Sequence, residues 1–212
     1  DTDDWNWSQI GSEDTPFTGR IIGNSKTISN FNIEGSDRFS GFISVLGEGG
    51  SIENLNFNNP SVSSSYTGSP AVTNDDGYVG VIVGQLNIQD EFNYTTGSII
   101  NCHVINPTIE GGENVGGIVG RTYGRNDAVT GCTVSGGTIQ GHMFVGGIAG
   151  NSEGILEDCH VQNGTQISYV ESEAEARVGG IVGTNNSGQV VACTANVVVD
   201  GDVNALDARY CG

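Results

Sequence analysis

Four cysteines recur at matched positions in the chain, and their spacing limits the chemistry that they could perform. They are Cys102, Cys132, Cys159 and Cys193. None belongs to a Cys-x-x-Cys pair, the spacing typical of zinc and redox sites. Strands about 4.8 Å apart would allow a disulfide, but side chains stacked in parallel rarely reach the disulfide torsion. We therefore predict a ladder of free, buried thiols that pack as small apolar side chains.

Two histidines, His103 and His160, each follow a ladder cysteine directly, with Thr133 at the equivalent position between them. Two strand spacings, about 9.6 Å, would separate the two rings, which is too far for a shared metal ion. The third histidine, His142, has no equivalent histidine in the other repeats. We predict surface histidines and no metal site.

Acid–base catalysis would need carboxylates or a basic residue converging on one face. If the repeats described below stack as coils, the outward residues one position before the Asn-like residue form a column. That column has no two acids on adjacent coils, and it reads Ser29, Glu53, Ile100, Thr130, Glu157, Val191. The repeats also bring together no Ser–His–Asp constellation. We therefore predict no catalytic residue, no cofactor and no enzymatic activity. The insertion between Ser63 and Gly97, with several aromatic residues, either packs on the flank or forms a binding surface for a sugar or partner.

An internal repeat must position these residues, and its core phrase is apolar, any, Asn-like, apolar, any, apolar. Its copies are Ile28/Asn30/Phe31/Ile33, Ile52/Asn54/Leu55/Phe57, Ile99/Asn101/Cys102/Val104, Val129/Gly131/Cys132/Val134, Leu156/Asp158/Cys159/Val161 and Val190/Ala192/Cys193/Ala195. Phe31 and Leu55 therefore stand where later copies have cysteine. The interval between copies varies, which is typical of stacked coils joined by unequal loops.

Two apolar residues three positions apart cannot face the same side of one flat strand, so each phrase must contain a bend. Asn, Asp and Gly tolerate the left-handed backbone conformation that a sharp bend needs. We predict a corner ladder of Asn30, Asn54, Asn101 and Asp158 that hydrogen-bonds from coil to coil.

A second phrase precedes most copies, as in 80–84, 116–120, 146–150 and 179–183, each close to Gly-Gly-Ile-Val-Gly. A third phrase follows the corner. Short β-branched runs bounded by Gly, Asn and Asp indicate strands rather than helices. The chain is therefore predicted to be all-β: a parallel β-solenoid of five to six coils with three short strands per coil.

The glycine phrases, with the cysteine phrases at 97–104 and 154–161, resemble the GLUG-motif repeats of secreted and cell-surface proteins. The resemblance covers about 17–200 and departs in the first copies, where cysteine is absent. It implies a right-handed β-helix and an extracellular location, but no reaction. We expect one domain over 1–212, with capping or assembly segments at 1–16 and 201–212.

The chain carries 25 acidic residues against seven basic ones, a net charge of −18. This balance disfavours nucleic acid as a partner, because phosphate binding needs clustered cations. The oxygen-rich candidates for calcium are Asp1, Asp3, Asp4 and the turn at 74–77, none of which matches an EF-hand loop. We see no hydrophobic run for membrane insertion.

Four N-glycosylation sequons begin at Asn6, Asn93, Asn163 and Asn185, all outside the core phrases. With no leader at the first residue, the sequence is typical of a mature exported protein. We predict an extracellular or cell-surface location.

The ends of a solenoid leave strand edges that must be covered or will pair with another chain. We predict that Trp5 and Trp7 at one end, and Tyr210 and Cys211 at the other, make capping or head-to-tail contacts. The predicted function is an extracellular structural or adhesive element, with a filament subunit favoured over a lone adhesin. Glycans or host-surface ligands are further candidate partners. The alternatives are a carbohydrate-binding or carbohydrate-active β-helix and a solitary adhesin.

Overall fold

The computed structural model describes residues 7–66, 77–88, 96–170, 176–200 and 209–211. Within these ranges the regular structure is all strand, and every strand pairing is parallel. The strands in the first two coils are β1 (Arg20–Ser29), β2 (Asn32–Gly35), β3 (Phe39–Ser40), β4 (Ile43–Leu46), β5 (Ser51–Asn58), β6 (Ser61–Ser64), β7 (Tyr78–Gly80) and β8 (Val83–Leu86). This confirms the predicted β-solenoid.

The later coils divide the long first strand in two, so that each has five strands instead of the predicted three. Two of the three phrases contain a corner, and each corner separates two strands. The third coil has β9 (Ser98–Ile100), β10 (His103–Ile105), β11 (Thr108–Gly111), β12 (Asn114–Gly116) and β13 (Val119–Thr122). The fourth has β14 (Ala128–Thr130), β15 (Thr133–Ser135), β16 (Thr138–Gly141), β17 (Phe144–Gly146) and β18 (Ala149–Ser152).

The fifth coil repeats this arrangement, and the described part of the sixth lacks the last strand of the set. They comprise β19 (Ile155–Glu157), β20 (His160–Gln162), β21 (Gln166–Tyr169), β22 (Arg177–Gly179), β23 (Val182–Asn185), β24 (Gln189–Val191), β25 (Thr194–Ala195), β26 (Val198–Asp200) and β27 (Arg209–Cys211). Five full turns and part of a sixth are therefore present, within the predicted five to six.

Equivalent strands of successive coils form four sheets along the solenoid. Sheet 1 has ten strands and contains β1, β5 and the pairs that follow each glycine phrase; sheets 2 and 3 have six strands each, beginning with β2 and β3; sheet 4 has five, beginning with β4. Inward side chains form stacked columns, such as Ile52, Ile99, Val129 and Leu156 in sheet 1. All four are fully buried, so the core is a set of apolar columns parallel to the long axis.

The first corner of sheet 1 has a left-handed backbone in every coil. Its φ angles are 53° at Asn54, 49° at Asn101, 64° at Gly131, 52° at Asp158 and 53° at Ala192. A β-carbon at Gly131 would collide with the amide oxygen of Asn101. Glycine at this position therefore makes room for the asparagine of the coil before it.

Asn30 belongs to a different column from the one that we predicted. A register shift between Ile22 and Lys26 in β1 pairs Ile28 with Phe57 rather than with Ile52. Asn30 therefore stands at the second corner, where the Nδ2 of Asn59 donates to its Oδ1 over 3.2 Å. Asn106 donates in turn to Asn59 over 3.1 Å.

The same shift removes Phe31 from the cysteine column. Lys26 pairs with Leu55, so Lys26 occupies the equivalent position in the first coil. Phe31 instead packs its ring against Phe57, with centroids 5.5 Å apart. The prediction failed here because the first copy has no cysteine to fix the alignment.

The N-terminal segment covers the end of the first coil. Trp7 stacks on Phe42 with ring centroids 4.8 Å apart, and its indole N–H donates to the Phe42 carbonyl over 3.1 Å. Ile10 pairs with Ile43 and Phe17 with Leu46 as isolated parallel bridges. Trp7 therefore makes its ring contact and its hydrogen bond within its own chain, while Trp5 lies outside the described residues.

Candidate ligand-binding groove

The ladder cysteines lie in one column of sheet 1 as free thiols, fully buried at Cys102, Cys132 and Cys159 and partly exposed at Cys193. Each Sγ contacts a carbonyl of the preceding coil, for example Cys159 to Val129 at 3.3 Å. The neighbouring thiols and burial raise the pKa of Cys132 well above its ordinary value. These contacts give the column a packing role.

The remaining predicted site residues are scattered. The side chain of Asn163 is exposed in a turn, and that of Asn185 is exposed at the last position of β23. Asn6, Asn93 and the calcium candidates Asp1, Asp3, Asp4 and 74–76 lie outside the described residues. For Tyr210 and Cys211, the structure describes only the backbone of β27. In the described ranges, no group of three or more potential ligands could hold a metal ion.

The outward face of sheet 1 joins residues that the sequence reading kept apart. His160 contacts Thr194 Oγ1 through Nδ1 at 2.8 Å and Asp158 Oδ1 through Nε2 at 3.2 Å. His103 makes the same hydroxyl contact with Thr133 at 2.8 Å. An acid, an imidazole and a hydroxyl therefore do meet, with threonine in place of the serine that we considered.

A groove along sheets 3 and 4 is lined by residues that the sequence analysis did not single out as a set. The outward positions of sheet 3 are Phe39, Tyr78, Asn114, Phe144 and Arg177. Those of sheet 4 are Val45, Gln85, Arg121, Asn151 and Thr184. Each column recurs at a fixed distance from the glycine phrase, so reading those columns would have found the groove.

Three of the six arginines of the chain lie against aromatic rings in this groove. The Phe39 and Tyr78 rings stack with centroids 5.4 Å apart, and the Arg38 guanidinium lies 5.1 Å from the Phe39 centroid. Arg121 lies 4.5 Å from the Tyr123 centroid, and Arg177 lies 5.4 Å from that of Phe144. Cation–π contacts of this kind hold a guanidinium in a fixed place. 

Arg121 is mostly enclosed, with 17% of its side chain exposed. It donates to the Tyr78 hydroxyl over 3.2 Å and to Glu153 over 2.7 Å. Burial opposes its charge, but Glu153 and Tyr78 outweigh that effect and raise the pKa of Arg121. Arg121 therefore stays cationic and presents a rigid fork of N–H donors.

Three buried side-chain polar atoms in the described ranges have no hydrogen-bond partner, and all three belong to this groove. They are Nδ2 and Oδ1 of Asn114 and Nε of Arg121. An unpaired buried polar group costs about 1–3 kcal/mol.

The groove opens into a cavity of about 400 Å³. Its lining consists of Glu13, Arg38, Phe39, Tyr78, Gln85, Ile88, Arg121, Tyr123, Phe144, Asn151 and Asn186. Two larger cavities are also present, one under the N-terminal segment and one beside serines of sheet 2. The first shares Glu13, Arg38 and Phe39 with the groove cavity, whereas the second is lined by no arginine or amide side chain.

Asp127 is a buried carboxylate in the loop after β13. It accepts hydrogen bonds from the side chain of Asn87 and from the backbone N–H groups of Gly97 at 3.0 Å and Gly124 at 2.6 Å. Burial raises the pKa of Asp127 to about 7, against the opposing effect of these donors. This carboxylate therefore links both ends of the connection between β8 and β9 to the loop between β13 and β14.

Comparison with known proteins gives two matches. Halomucin of Haloquadratum walsbyi is 32% identical over 128 residues, which cover 56% of this chain and 1% of halomucin. The crystal structure of a putative immunoglobulin A1 protease from Bacteroides ovatus superposes with a TM-score of 0.68 at 26% identity, covering 96% of this chain and 62% of that one. No family model matches the chain, so the resemblance to GLUG repeats stays a prediction.

The solved structure contradicts one prediction from the sequence. We predicted that the chain is not an enzyme, yet the protein with the same fold is named as a protease. The prediction relied on the absence of an acid–histidine–hydroxyl group, and the contact of Asp158, His160 and Thr194 removes that ground as well.

The structure contains no helix among its described residues that is long and apolar enough to cross a membrane.

Proposed function

We propose that this chain is an extracellular, surface-displayed β-solenoid whose groove along sheets 3 and 4 binds carbohydrate. The observation that carries the proposal is the cavity of about 400 Å³ with guanidinium and amide groups converging on it. Ligand sites are typically concave, with aromatic walls and a few placed polar groups. Both matched proteins have names that suit an extracellular setting, a mucin and a protease of immunoglobulin.

The polar lining suits a ligand rich in hydroxyl groups. Gln85, Asn151 and Asn186 carry amides with both donors and acceptors, and the Asn186 amide donates to the Asn151 side chain over 3.2 Å. A sugar hydroxyl can exchange with such a contact because it also both donates and accepts. The rings beneath the lining fix the arginines and provide the apolar wall.

A glycan array followed by isothermal titration calorimetry tests the proposal. We expect Asn186→Ala, in the cavity wall, to weaken binding of the best glycan at least fivefold. Asn163→Ala is the matched control, because Asn163 is also exposed in a loop but lies away from the groove. Equal affinity of both variants and the unmodified chain would place the glycan elsewhere, and an array with no binder would reject the proposal.

Hydrolysis is a second candidate function, favoured by the contact of Asp158 with His160 and of His160 with Thr194. A chromogenic ester and a peptide mixture are suitable substrates. His160→Ala should abolish any turnover, whereas His103→Ala should leave it unchanged. His103 also contacts a threonine, but the residue two positions before it is Asn101 instead of an acid. Equal turnover in the two variants would reject this site.

A further inference from the structure

The glycine phrases close the base of the groove along sheets 3 and 4. Gly80 lies on the outward face of sheet 3, two positions after Tyr78, because side chains on a strand alternate with period two. A β-carbon at Gly80 would lie 2.7 Å from the Cα of Val119, in sheet 4 of the next coil. One at Gly146 would lie 2.7 Å from the Cα of Val182 in the same way. The two sheets therefore meet backbone to backbone at repeated coils, and the groove continues from coil to coil.

The cavity in this groove is long and narrow. Its lining comes from five successive coils: Phe39 of the first, Gln85 of the second, Arg121 of the third, Asn151 of the fourth and Asn186 of the fifth. Four coil spacings of about 4.8 Å give a length of about 19 Å. A volume of about 400 Å³ distributed over this length leaves room for one extended chain, and not for a compact or branched ligand.

Hydrogen-bonding groups recur in the groove once per coil. Gln85, Arg121 and Asn151 occupy the same outward column of sheet 4. A polymer whose units advance by about 4.8 Å would therefore meet one such group per unit. A β-1,4-linked pyranose chain stays extended and advances by nearly this distance with each sugar. An extended peptide has about 6.6 Å between side chains that share a face, so it does not keep step with the coils.

We propose that the groove binds a linear β-1,4-linked oligosaccharide parallel to the solenoid axis, with about one sugar per coil. This inference rests on the proposed carbohydrate-binding function and adds the linkage, length and orientation of the ligand. The sugar hydroxyl groups contact the amides and the guanidinium of sheet 4. The sugar rings lie against aromatic side chains of sheet 3 that line the cavity, such as Phe144.

Calorimetry with oligosaccharides of increasing length tests the inference. The probes are cello-, xylo- and chito-oligosaccharides of two to six sugars. Malto-oligosaccharides are the control, because their α-1,4 linkage curves the chain. For at least one β-1,4-linked series, we expect affinity to rise at least tenfold from the disaccharide to the tetrasaccharide, and to change less than twofold from the pentasaccharide to the hexasaccharide. The control series should show no such rise.

Two variants in distant coils test the orientation. Gln85 and Asn186 lie three coil spacings apart, about 14 Å, so a tetrasaccharide along the axis contacts both and a disaccharide reaches only one. Gln85→Ala and Asn186→Ala should each weaken tetrasaccharide binding at least fivefold, whereas at most one of them should weaken disaccharide binding. Gln140→Ala is the control, since Gln140 is an outward amide on sheet 2. Circular dichroism establishes that each variant is folded.

The outcomes separate the two proposals. Equal affinity for the disaccharide and the hexasaccharide, or an equal rise in the malto-oligosaccharide series, would overturn the axial arrangement and leave carbohydrate binding intact. Unchanged tetrasaccharide affinity in either folded groove variant would also overturn it. If the glycan array finds a ligand but no β-1,4-linked series binds, the proposed linkage is wrong. If the array finds no binder at all, the proposed function itself is wrong.

Discussion

The first and the last described coils differ in how their apolar columns are covered. At the first coil, Trp7 stacks on Phe42 and the segment around it pairs with β4. At the last described coil, Val190 is 42% exposed. Val190 stands in the same inward column as Val129, which is fully buried. Burial of a column residue is thus set by the coil that follows it, and not by the residue itself.

This difference bears on the predicted head-to-tail association. Stacking of identical chains requires one open strand edge and a complementary edge on the next chain. The last described coil offers apolar side chains at its edge, but the N-terminal segment covers the first coil. Self-association by this route stays a prediction, and it requires that segment to move or to form part of the contact.

The largest expected effect comes from placing a charge in the shared column. Val129→Asp would bury an unpaired carboxylate between two coils, which a protein interior does not tolerate. We expect this variant to lack the β signal in circular dichroism. Val190→Asp should fold and melt within about 5 °C of the unmodified chain, since about 1 kcal/mol shifts the melting temperature by about 2–4 °C at this size. Loss of folding in both variants would mean that the last column is covered.

Asp127 is a buried carboxylate that the fold does accommodate, unlike the one that Val129→Asp would introduce. Its folded pKa of about 7 lies above the ordinary aspartate value near 3.9. The native state therefore binds the proton more tightly, and this contribution to stability is complete below pH 4 and lost as pH rises to about 7. We expect the urea midpoint to fall over that window and then level off.

Asp127→Asn is the control for this pH dependence, because the amide cannot ionise. The slope of the urea midpoint between pH 4 and 7 should be smaller in this variant, even if its overall stability is lower through a lost acceptor for Gly124. An identical slope in the two proteins would assign the pH dependence to the other acidic residues.

Removal of the N-terminal cover should have an intermediate effect. Trp7→Ala loses the ring contact with Phe42 and the bond from the indole N–H to its carbonyl. Because Trp7 is only partly buried, we expect a loss of about 2 kcal/mol in urea unfolding, below the 3–5 kcal/mol of a core tryptophan. Trp7→Phe keeps a ring and should lose about half as much. No change in Trp7→Ala would show that the segment contributes no cover.

The smallest effect concerns the rate of thiol labelling along the cysteine column. Cys193 is partly exposed in the last described coil, whereas Cys132 is fully buried between two others. Under native conditions, Cys193 should react with iodoacetamide at least tenfold faster than Cys132, as measured by peptide mass spectrometry. Equal rates would contradict the difference in cover between the interior and the end.

The corners and core columns could be predicted from the sequence because both recur with the repeat. Asn54, Asn101 and Asp158 mark a left-handed bend by residue type alone, and the apolar residues around them must face inward. The column of Asn30 could not be predicted, because the irregular pairing between Ile22 and Lys26 leaves no signature in the apolar pattern.

The groove was missed for a different reason. Tyr78, Asn114 and Phe144 differ in chemistry, so their column shows no common residue type even though each stands two positions before a glycine phrase. Their side chains become related only through stacking. The contact of Asp158, His160 and Thr194 was missed because it joins neighbouring coils through the hydroxyl of threonine, which we did not treat as equivalent to serine.

The parallel pairing also determines how the molecule would respond to mechanical force. A pull on the two chain ends acts along the solenoid axis. It therefore breaks the hydrogen bonds between coils one coil at a time, instead of shearing whole sheets. Equivalent positions such as Cys102 and Cys132 are 30 residues apart, and each released coil would lengthen the chain by about 100 Å at about 3.3–3.6 Å per residue. Such a chain would yield stepwise at low force, and would act as an extensible tether between the points it joins.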